Sequence, residues 1–292
     1  MIRSMTGFGR GSATVGGAEA TVEVRTVNGR YAEASVRGLG DLAEHETAVQ
    51  NTVKAAIDRG TATVHVDVQV GPGGTALRVD HDAAGAAGAL LREAATAAGL
   101  GPEAVRLADV LAAGAVLVPA GDPEAGADAW AAVQAALHDA LDRLRAMRTA
   151  EGAALRDDLA ARADALEGAT AAVDARAPER TEAARARLRE RLDAFVADGT
   201  LDAGRLEAEA SLLADKLDVT EETVRLRSHL GQFREALGQD GPVGRRLNFL
   251  AQEIGREVNT IGSKANDAEM TGLAVSMKEE VEKIREQVQN VV

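Results

Sequence analysis

The stretch "TATVHVDVQV" (residues 61–70) alternates strictly between apolar and polar side chains. Successive side chains of an extended chain point to opposite faces, so Ala62 and the valines at 64, 66, 68 and 70 share one face. This alternation predicts a β-strand with one buried face. It places His65 on the opposite, exposed face.

The flanking segments predict an antiparallel β unit with one packed helix. "ATVEVRTVNG" (20–29) and "RYAEASVRG" (30–38) also alternate, and Asn28-Gly29 predicts a type I′ hairpin between them. "LAEHETAVQNTVKAAIDRG" (42–60) has apolar residues at helical spacing, which predicts a helix that ends at Gly60. "GPGG" (71–74) predicts a turn.

The rest of the chain predicts helices, with no strand pattern beyond about residue 82. An Ala-rich helix is expected over 82–98, and a long helix or coiled-coil arm from Trp130 to about Arg176. Pro178 is expected to break that helix and begin the next. Further helices are expected at about 178–197, 203–217, 219–237, 242–262 and 266–290.

The predicted fold class is therefore α+β: an N-terminal antiparallel β/α module, then a mostly helical C-terminal part with a long helical arm. The Gly, Pro and Asp residues of "GDPEAGAD" (121–128) are typical of a boundary. We divide the chain into an N-terminal domain (1–122), the arm (123–200) and a C-terminal helical domain (201–292).

Composition excludes several classes of protein. The 292 residues include no cysteine, which excludes disulfides, thiolate metal sites and cysteine nucleophiles. We see neither a signal peptide nor an apolar run of about 18 residues, so we expect a cytoplasmic protein with no membrane partner. The net charge of −13 means that any nucleic-acid contact needs a local cationic surface. The arginines within 176–191 either form such a strip or pair with neighbouring glutamates on a solvated helix.

The segment "GRRLNFLAQEIGREVNTIGSK" (244–264) predicts a helix with three distinct stripes. The apolar stripe is Leu247, Leu250, Ala251, Ile254, Val258 and Ile261. The second stripe combines carboxylates and cations: Arg246, Glu253, Glu257, Thr260 and Lys264. The third is a row of hydrogen-bonding groups suited to phosphate or sugar oxygens: Arg245, Gln252, Arg256, Asn259 and Ser263.

Glu253 and Glu257 lie one helical turn apart, a spacing at which two carboxylates can share a divalent cation. Pairing with Arg246, Arg256 or Lys264 is the alternative.

The segment "DVTEETVRLRSHL" (218–230) places Asp218, Glu222, Arg225 and His229 on one helix face. Asp218 is expected to cap this helix, with Glu221 completing a capping box. His229 is a candidate metal ligand or proton shuttle, or else a structural histidine at a helix interface. Glu209 lies beside leucines at helical spacing, so we expect it to be partly buried and to need a partner.

Five stretches of the chain together resemble the bacterial YicC/YloC family. They are "MIRSMTGFGR" (1–10), "EVRTVNGRY" (23–31), "DRGTATVHV" (58–66), "RLEAEASLLADKLDVTEETVRLRSHLGQF" (205–233) and the long run from "GRRLNFLAQEIGREVNTIGSK" to "REQVQNV" (244–291). The resemblance implies a metal-dependent endoribonuclease that acts on single-stranded RNA. It also implies a hexameric ring whose long helical arms clamp RNA, and it implies no nucleotide cofactor.

The resemblance also implies roles for individual residues. Its candidates for catalysis and for binding Mn²⁺ or Mg²⁺ are Glu209, His229, Glu253 and Glu257. Its candidates for RNA contact are Arg3, Arg25, Asn28, Arg30, Arg245, Arg246, Arg256, Asn259 and Lys264. Thr61 departs from the family, which often has lysine at this point, and the change removes a cation.

Two other functions remain open at this level. The chain could be a non-catalytic RNA clamp or adaptor that assists other nucleases, with the Glu–Arg face purely structural. It could also be an assembly protein whose long helix is an oligomer strut.

Overall fold

A computed structural model describes residues 2–70, 77–113, 116–119, 123–197 and 203–292. The predicted turn at 71–74 lies outside these residues. The strands are β1 (Gly7–Val15), β2 (Ala18–Val27), β3 (Ala32–Arg37), β4 (Gly60–Val70), β5 (Leu77–Val79) and β6 (Leu117–Pro119). The helices are α1 (Glu46–Ala56), α2 (His81–Ala97), α3 (Leu107–Ala112), α4 (Pro123–Ala197), α5 (Ala203–Leu217), α6 (Thr220–Leu237), α7 (Gly244–Lys264) and α8 (Ala268–Val288). The α+β class is confirmed.

The strand predicted at 61–70 is an interior strand of the main sheet, whose order is β1-β2-β4-β3. Ala62, Val64 and Val66 are buried and His65 is exposed, as the alternation predicts. Val68 is only partly buried and Val70 is 50% exposed, so the buried face ends before the end of the strand. Val22 of β2 pairs with Val66 in this register, and Val24 pairs with Val64. These pairs build one continuous apolar face.

The predicted Asn28-Gly29 hairpin is wrong. β2 runs antiparallel to β4, whereas β3 lies on the other side of β4 and runs parallel to it. The sheet is therefore mixed. Residues 28–31 cross the end of β4, so they need no tight reversal, and Gly29 has no positive φ. A four-residue link spans the two strand spacings, which amount to about 10 Å.

The predicted helix at 42–60 is shorter than expected. A 3-10 turn (Gly40–His45) precedes α1, which ends at Ala56 rather than at Gly60. Gly60 instead begins β4, where its φ of +113° requires glycine.

Two helices cover the buried face of the sheet, where the sequence predicted one. Val49 and Val53 of α1 are buried there, and the N-terminal part of α4 lies across β1 and β2. A Cβ on Gly9 would lie 2.0 Å from the carbonyl oxygen of Ala140, and one on Gly11 would lie 2.1 Å from that of Ala136. Gly9 and Gly11 thus let the α4 backbone contact β1 directly.

The expectation of no strand beyond residue 82 is also wrong. β6 pairs antiparallel with β5, matching Leu117 to Val79. In chain order, α2 and α3 lie between these two strands. Helix α2 matches the predicted Ala-rich helix. Three-residue strands are too short to show an alternating pattern.

The predicted break at Pro178 is wrong, because α4 runs uninterrupted through this residue. Tertiary contacts hold the helix on both sides of the proline. Arg176 binds Asp267 with N–O distances of 3.0 and 3.1 Å, and Arg180 donates to the carbonyl oxygens of Lys264 and Leu217. These contacts offset the one backbone hydrogen bond that proline removes.

Helices α5 to α8 agree closely with the helices predicted over 203–290. Helices α6 to α8 form a second core with α4, and α5 packs against α4. α4 contributes Leu155, Leu159, Leu166 and Val173 to this second core. The opening segment closes this core at one end. The backbone of Arg3 pairs with that of Val292, and Met5 donates to Asn290. No helix of the described residues has the length and apolar character needed to cross a bilayer.

Candidate nucleic-acid interface

Helix α7 has the three stripes that its sequence predicts. Every residue of the apolar stripe is at most 2% exposed, packed between α6 and α8. Gly255 and Gly262 face α8, where added Cβ atoms would lie 3.2 Å from Val281 and 3.3 Å from Lys278. These contacts fix the rotation of α7, so its polar stripes have defined neighbours.

The second stripe faces α6. Lys264 Nζ lies 2.9 Å from a Glu222 carboxylate oxygen and 2.6 Å from the Asp218 carbonyl oxygen. At the other end, Arg246 lies 3.4 Å from Glu235. α6 and α7 therefore run antiparallel, and His229 lies level with the part of α7 that holds Glu253 and Glu257. We call Glu222, His229, Glu253, Glu257 and Lys264 the α6–α7 seam.

Two polar atoms of this seam are buried without a partner among the described residues: Nδ1 of His229 and the second carboxylate oxygen of Glu222. Glu257 is 5% exposed, and no cation among the described residues pairs with it. The Glu253 side chain is 28% exposed and lies 4.0 Å from Arg256, so the helix ion pairs offered as the alternative reading satisfy Glu253 weakly and Glu257 not at all. Burying a polar group without a partner costs free energy, so such groups persist mainly where function requires them.

The third stripe lines an open groove of about 480 Å³ on the outer face of α7. Its lining residues are Gln252, Arg256, Asn259, Thr260, Ser263 and Arg285. The Arg256 side chain is 73% exposed and points into solvent. We call this feature the donor groove. Phe249 lies between the donor groove and Glu253 on the helix surface, and it is 58% exposed.

At the start of α6, Asp218 accepts hydrogen bonds from the backbone and the hydroxyl of Thr220. These bonds, with the nearby Lys264 ammonium, lower the pKa of Asp218 below its ordinary value. The predicted capping box does not form, because Val219 is the capping residue and Glu221 pairs with Arg225.

Of the N-terminal candidates, Asn28 and Arg30 lie near the start of α7, whereas Arg3 and Arg25 have other partners. Arg3 pairs with Asp58 at 2.9 Å, and Arg25 lies over the Phe8 ring at 5.2 Å. Asn28 donates to the Gln289 carbonyl oxygen at 2.7 Å, which places it beside the end of α8. Arg30 lies over the Tyr31 ring and lines a cavity that Arg245 also lines.

Glu209 is exposed on α5, so its predicted burial is wrong. Among the described residues, no three Asp, Glu or His side chains lie close enough together to hold a metal ion. Glu209, His229, Glu253 and Glu257 therefore do not form a ready metal centre within one chain.

The arginines of 176–191 do not form a cationic strip. Arg176 pairs with Glu179, Arg185 with Glu182, and Arg189 with Glu207. Arg180 is buried and braces α4 against α5 and α7. The i,i+3 pairing predicted for a solvated helix is therefore present at Arg176 and Arg185, but Arg180 is buried rather than solvated.

Comparison with known proteins identifies the family. The model "Endoribonuclease YicC-like, N-terminal region" matches residues 2–157, and "Endoribonuclease YicC-like, C-terminal" matches residues 173–292. The chain belongs to the YicC-like endoribonuclease family. It is 34% identical over 294 residues to a Clostridioides difficile protein named "Probable endoribonuclease YicC", with both chains covered in full. It is 32% identical over 293 residues to a protein of the same name from Haemophilus influenzae, again with full coverage.

Three residues at or beside these surfaces were not predicted from the sequence: Phe249, Arg59 and Arg285. Arg285 lies on α8 against Gly255 of α7, and no local sequence pattern reveals a contact between two helices. Phe249 breaks the polar surface of α7 with an exposed aromatic side chain, and this signal was readable from helical periodicity.

Proposed function

We propose that this chain is an endoribonuclease that binds single-stranded RNA along α7 and cleaves it beside the α6–α7 seam. The observation that carries the proposal is the pair of buried, unpartnered atoms of His229 and Glu222, beside the buried residue Glu257 and next to an exposed donor groove. Membership of the YicC-like family supports the choice of RNA as substrate.

The donor groove has the chemistry to bind a sugar–phosphate backbone. Arg256 supplies a charged fork, while Gln252, Asn259 and Ser263 supply neutral donors along about 17 Å of helix. Phe249 offers an exposed ring on which an unpaired base can stack, and stacking favours single-stranded over duplex RNA. Arg246 and Lys264 already pair with α6, so their RNA contacts stay a prediction.

The seam supplies groups that can move protons. His229 has one ring nitrogen buried without a partner, and a histidine in this position can take a proton from an attacking hydroxyl or return one to the leaving oxygen. Glu257, buried without a cation, would orient or neutralise a group that approaches it.

Dependence on Mn²⁺ or Mg²⁺ is part of the proposal and rests on the family resemblance. Such an ion would supply Lewis-acid stabilisation of the phosphate charge. Because the four candidate ligands do not fit one centre within a single chain, we assign no ligand set. A hexameric ring is likewise a proposal, and it would repeat the groove in every subunit.

A cleavage assay tests the proposal directly. The full chain is incubated with end-labelled single-stranded RNA, with Mn²⁺ or Mg²⁺ and separately with EDTA. The comparison is with Glu253→Gln/Glu257→Gln and with Glu279→Gln, an exposed position on α8. We expect wild type and Glu279→Gln to cut only with metal. The double variant should bind RNA normally but cut about 100-fold more slowly or worse.

The other outcomes are equally informative. Equal cleavage by all three proteins would place the active site elsewhere. Binding without cleavage by wild type would favour the clamp or adaptor function. Leu137 and Leu141 of α4 are buried beneath the sheet, so they belong to the core of this chain rather than to the surface of an oligomer strut.

A further inference from the structure

A cavity of about 510 Å³ lies where the N-terminal sheet meets the start of α7. Arg30, Tyr31 and Arg59 line it from the sheet side, and Gly244 and Arg245 line it from α7. We call it the junction cavity. A smaller neighbouring cavity of about 130 Å³ shares Arg59 and Arg245 and adds Asn28 and Asn248.

The junction cavity is cationic in an otherwise acidic protein. Among the described residues, no carboxylate pairs with Arg30, Arg59 or Arg245. Asp58 also lines the cavity, but it is engaged by Arg3 at 2.9 Å. Arg59 donates through Nε to the Gly29 carbonyl oxygen at 3.3 Å, which anchors the side chain and leaves its two terminal nitrogens for another acceptor.

The local backbone adds to the positive potential. Val243 gives no side-chain cap to α7, and the first turn of α7 has no acidic residue. The amide groups at this helix start are therefore left for an anion. Gly244 lets the start of α7 lie close to the C-terminal segment, because a Cβ there would lie 2.4 Å from the Val291 carbonyl oxygen.

We propose that the junction cavity binds one nucleotide of the RNA through its phosphate, with the guanidinium groups of Arg59 and Arg245 as the anion partners. Tyr31, which is 65% exposed under the Arg30 guanidinium, gives the attached base a ring to stack on. A volume of about 510 Å³ is within the range of small-ligand sites. Arg245 also begins the third stripe of α7, so the cavity lies at one end of the donor groove.

The inference rests on the proposed RNA function, but its test does not require cleavage. Binding of 5′-AMP, adenosine and inorganic phosphate to the full chain is measured by titration calorimetry. The variants are Arg59→Gln and Arg245→Gln. The control is Arg37→Gln, an exposed arginine at the far end of β3, about 17 Å from the cavity.

We expect wild type and Arg37→Gln to bind 5′-AMP, and adenosine to bind much more weakly. Each cavity variant should lose about tenfold or more in affinity for 5′-AMP, since it removes a charge-assisted hydrogen bond. Arg245 is exposed and has no hydrogen bond or ion pair among the described residues, so Arg245→Gln should fold normally. This variant therefore tests the proposal even if Arg59→Gln is unstable. Absence of 5′-AMP binding to wild type, or equal losses in Arg37→Gln, would overturn the proposal.

RNA oligonucleotides with a 5′-phosphate or a 5′-hydroxyl then identify the source of the phosphate. A preference for the 5′-phosphate that disappears in Arg245→Gln supports a terminal phosphate. An equal loss for both oligonucleotides supports an internal one. If 5′-AMP binds as expected but no RNA is cut, the proposed nuclease function fails and the junction cavity remains a nucleotide site.

Discussion

At the residue scale, polar side chains differ in whether they brace neighbouring helices. Arg180, which is buried, and Asp267, which is partly buried, each join α4 to a neighbouring helix or connection, although Nε of Arg180 has no partner among the described residues. Nδ1 of His229 is buried without a partner, and Glu257 is 5% exposed with no cation paired to it among the described residues. A bracing contact therefore separates structural from functional candidates better than residue type does.

Asp267 carries a prediction about pH. Its carboxylate accepts from the Met270 backbone N–H at 2.7 Å, as the cap of α8, and also binds Arg176. These bonds lower the pKa of Asp267 below its ordinary value. A carboxyl whose folded pKa is depressed stabilises the fold above its unfolded pKa of about 3.9 and loses that effect as pH falls further.

We therefore expect the free energy of unfolding to fall as the pH drops below about 4, and Asp267→Asn to flatten part of that fall. Asparagine keeps the cap but not the charge, whereas Asp267→Ala should cost about 1 kcal/mol more through the lost cap. Urea unfolding at several pH values measures both effects. If the free energy of unfolding of Asp267→Asn falls below pH 4 as steeply as that of wild type, Asp267 does not contribute to the acid destabilisation.

At the element scale, periodicity predicted the stripes of α7 and the faces of β4, because these depend only on the local backbone repeat. It could not predict what each stripe faces. The pairing of Lys264 with Glu222 and the crossing of residues 28–31 past β4 depend on segments distant in sequence. The continuity of α4 through Pro178 likewise depends on Asp267 and on the Leu217 and Lys264 carbonyls.

Two Gly→Ala substitutions, one at the contact between β1 and α4 and one on the exposed surface of α4, should have opposite effects on stability. Gly9→Ala should destabilise the fold by about 1–3 kcal/mol or more, because its Cβ would overlap the α4 backbone. Gly168→Ala, at an exposed position of α4 with no atom near its Cβ, should stabilise by up to about 1 kcal/mol. Thermal unfolding of both variants decides the matter, and a tolerated Gly9→Ala would mean that α4 does not lie against β1 as described.

At the scale of the whole molecule, α4 is the common element of two cores. Its residues up to Leu144 lie under the sheet, and those from Leu155 onward pack with the C-terminal helices. Residues 2–5 add a second link, since they contact Arg148 and the 290–292 segment. Two linked cores on one continuous helix should unfold together, in a single transition.

Interrupting α4 between the cores should separate them. Ala154 is exposed, one residue before Leu155, and the contacts of α4 with residues 2–6 lie on its N-terminal side, at Glu151 and Gly152. Ala154→Pro should cost about 3 kcal/mol and divide the thermal transition into two, because it kinks the element that couples the cores. Ala154→Gly should cost about 1 kcal/mol and keep one transition. A single transition in Ala154→Pro would show that residues 2–5 and 290–292 are sufficient to couple the two cores. The orientation of the junction cavity's two sides would then depend on the paired chain ends rather than on α4.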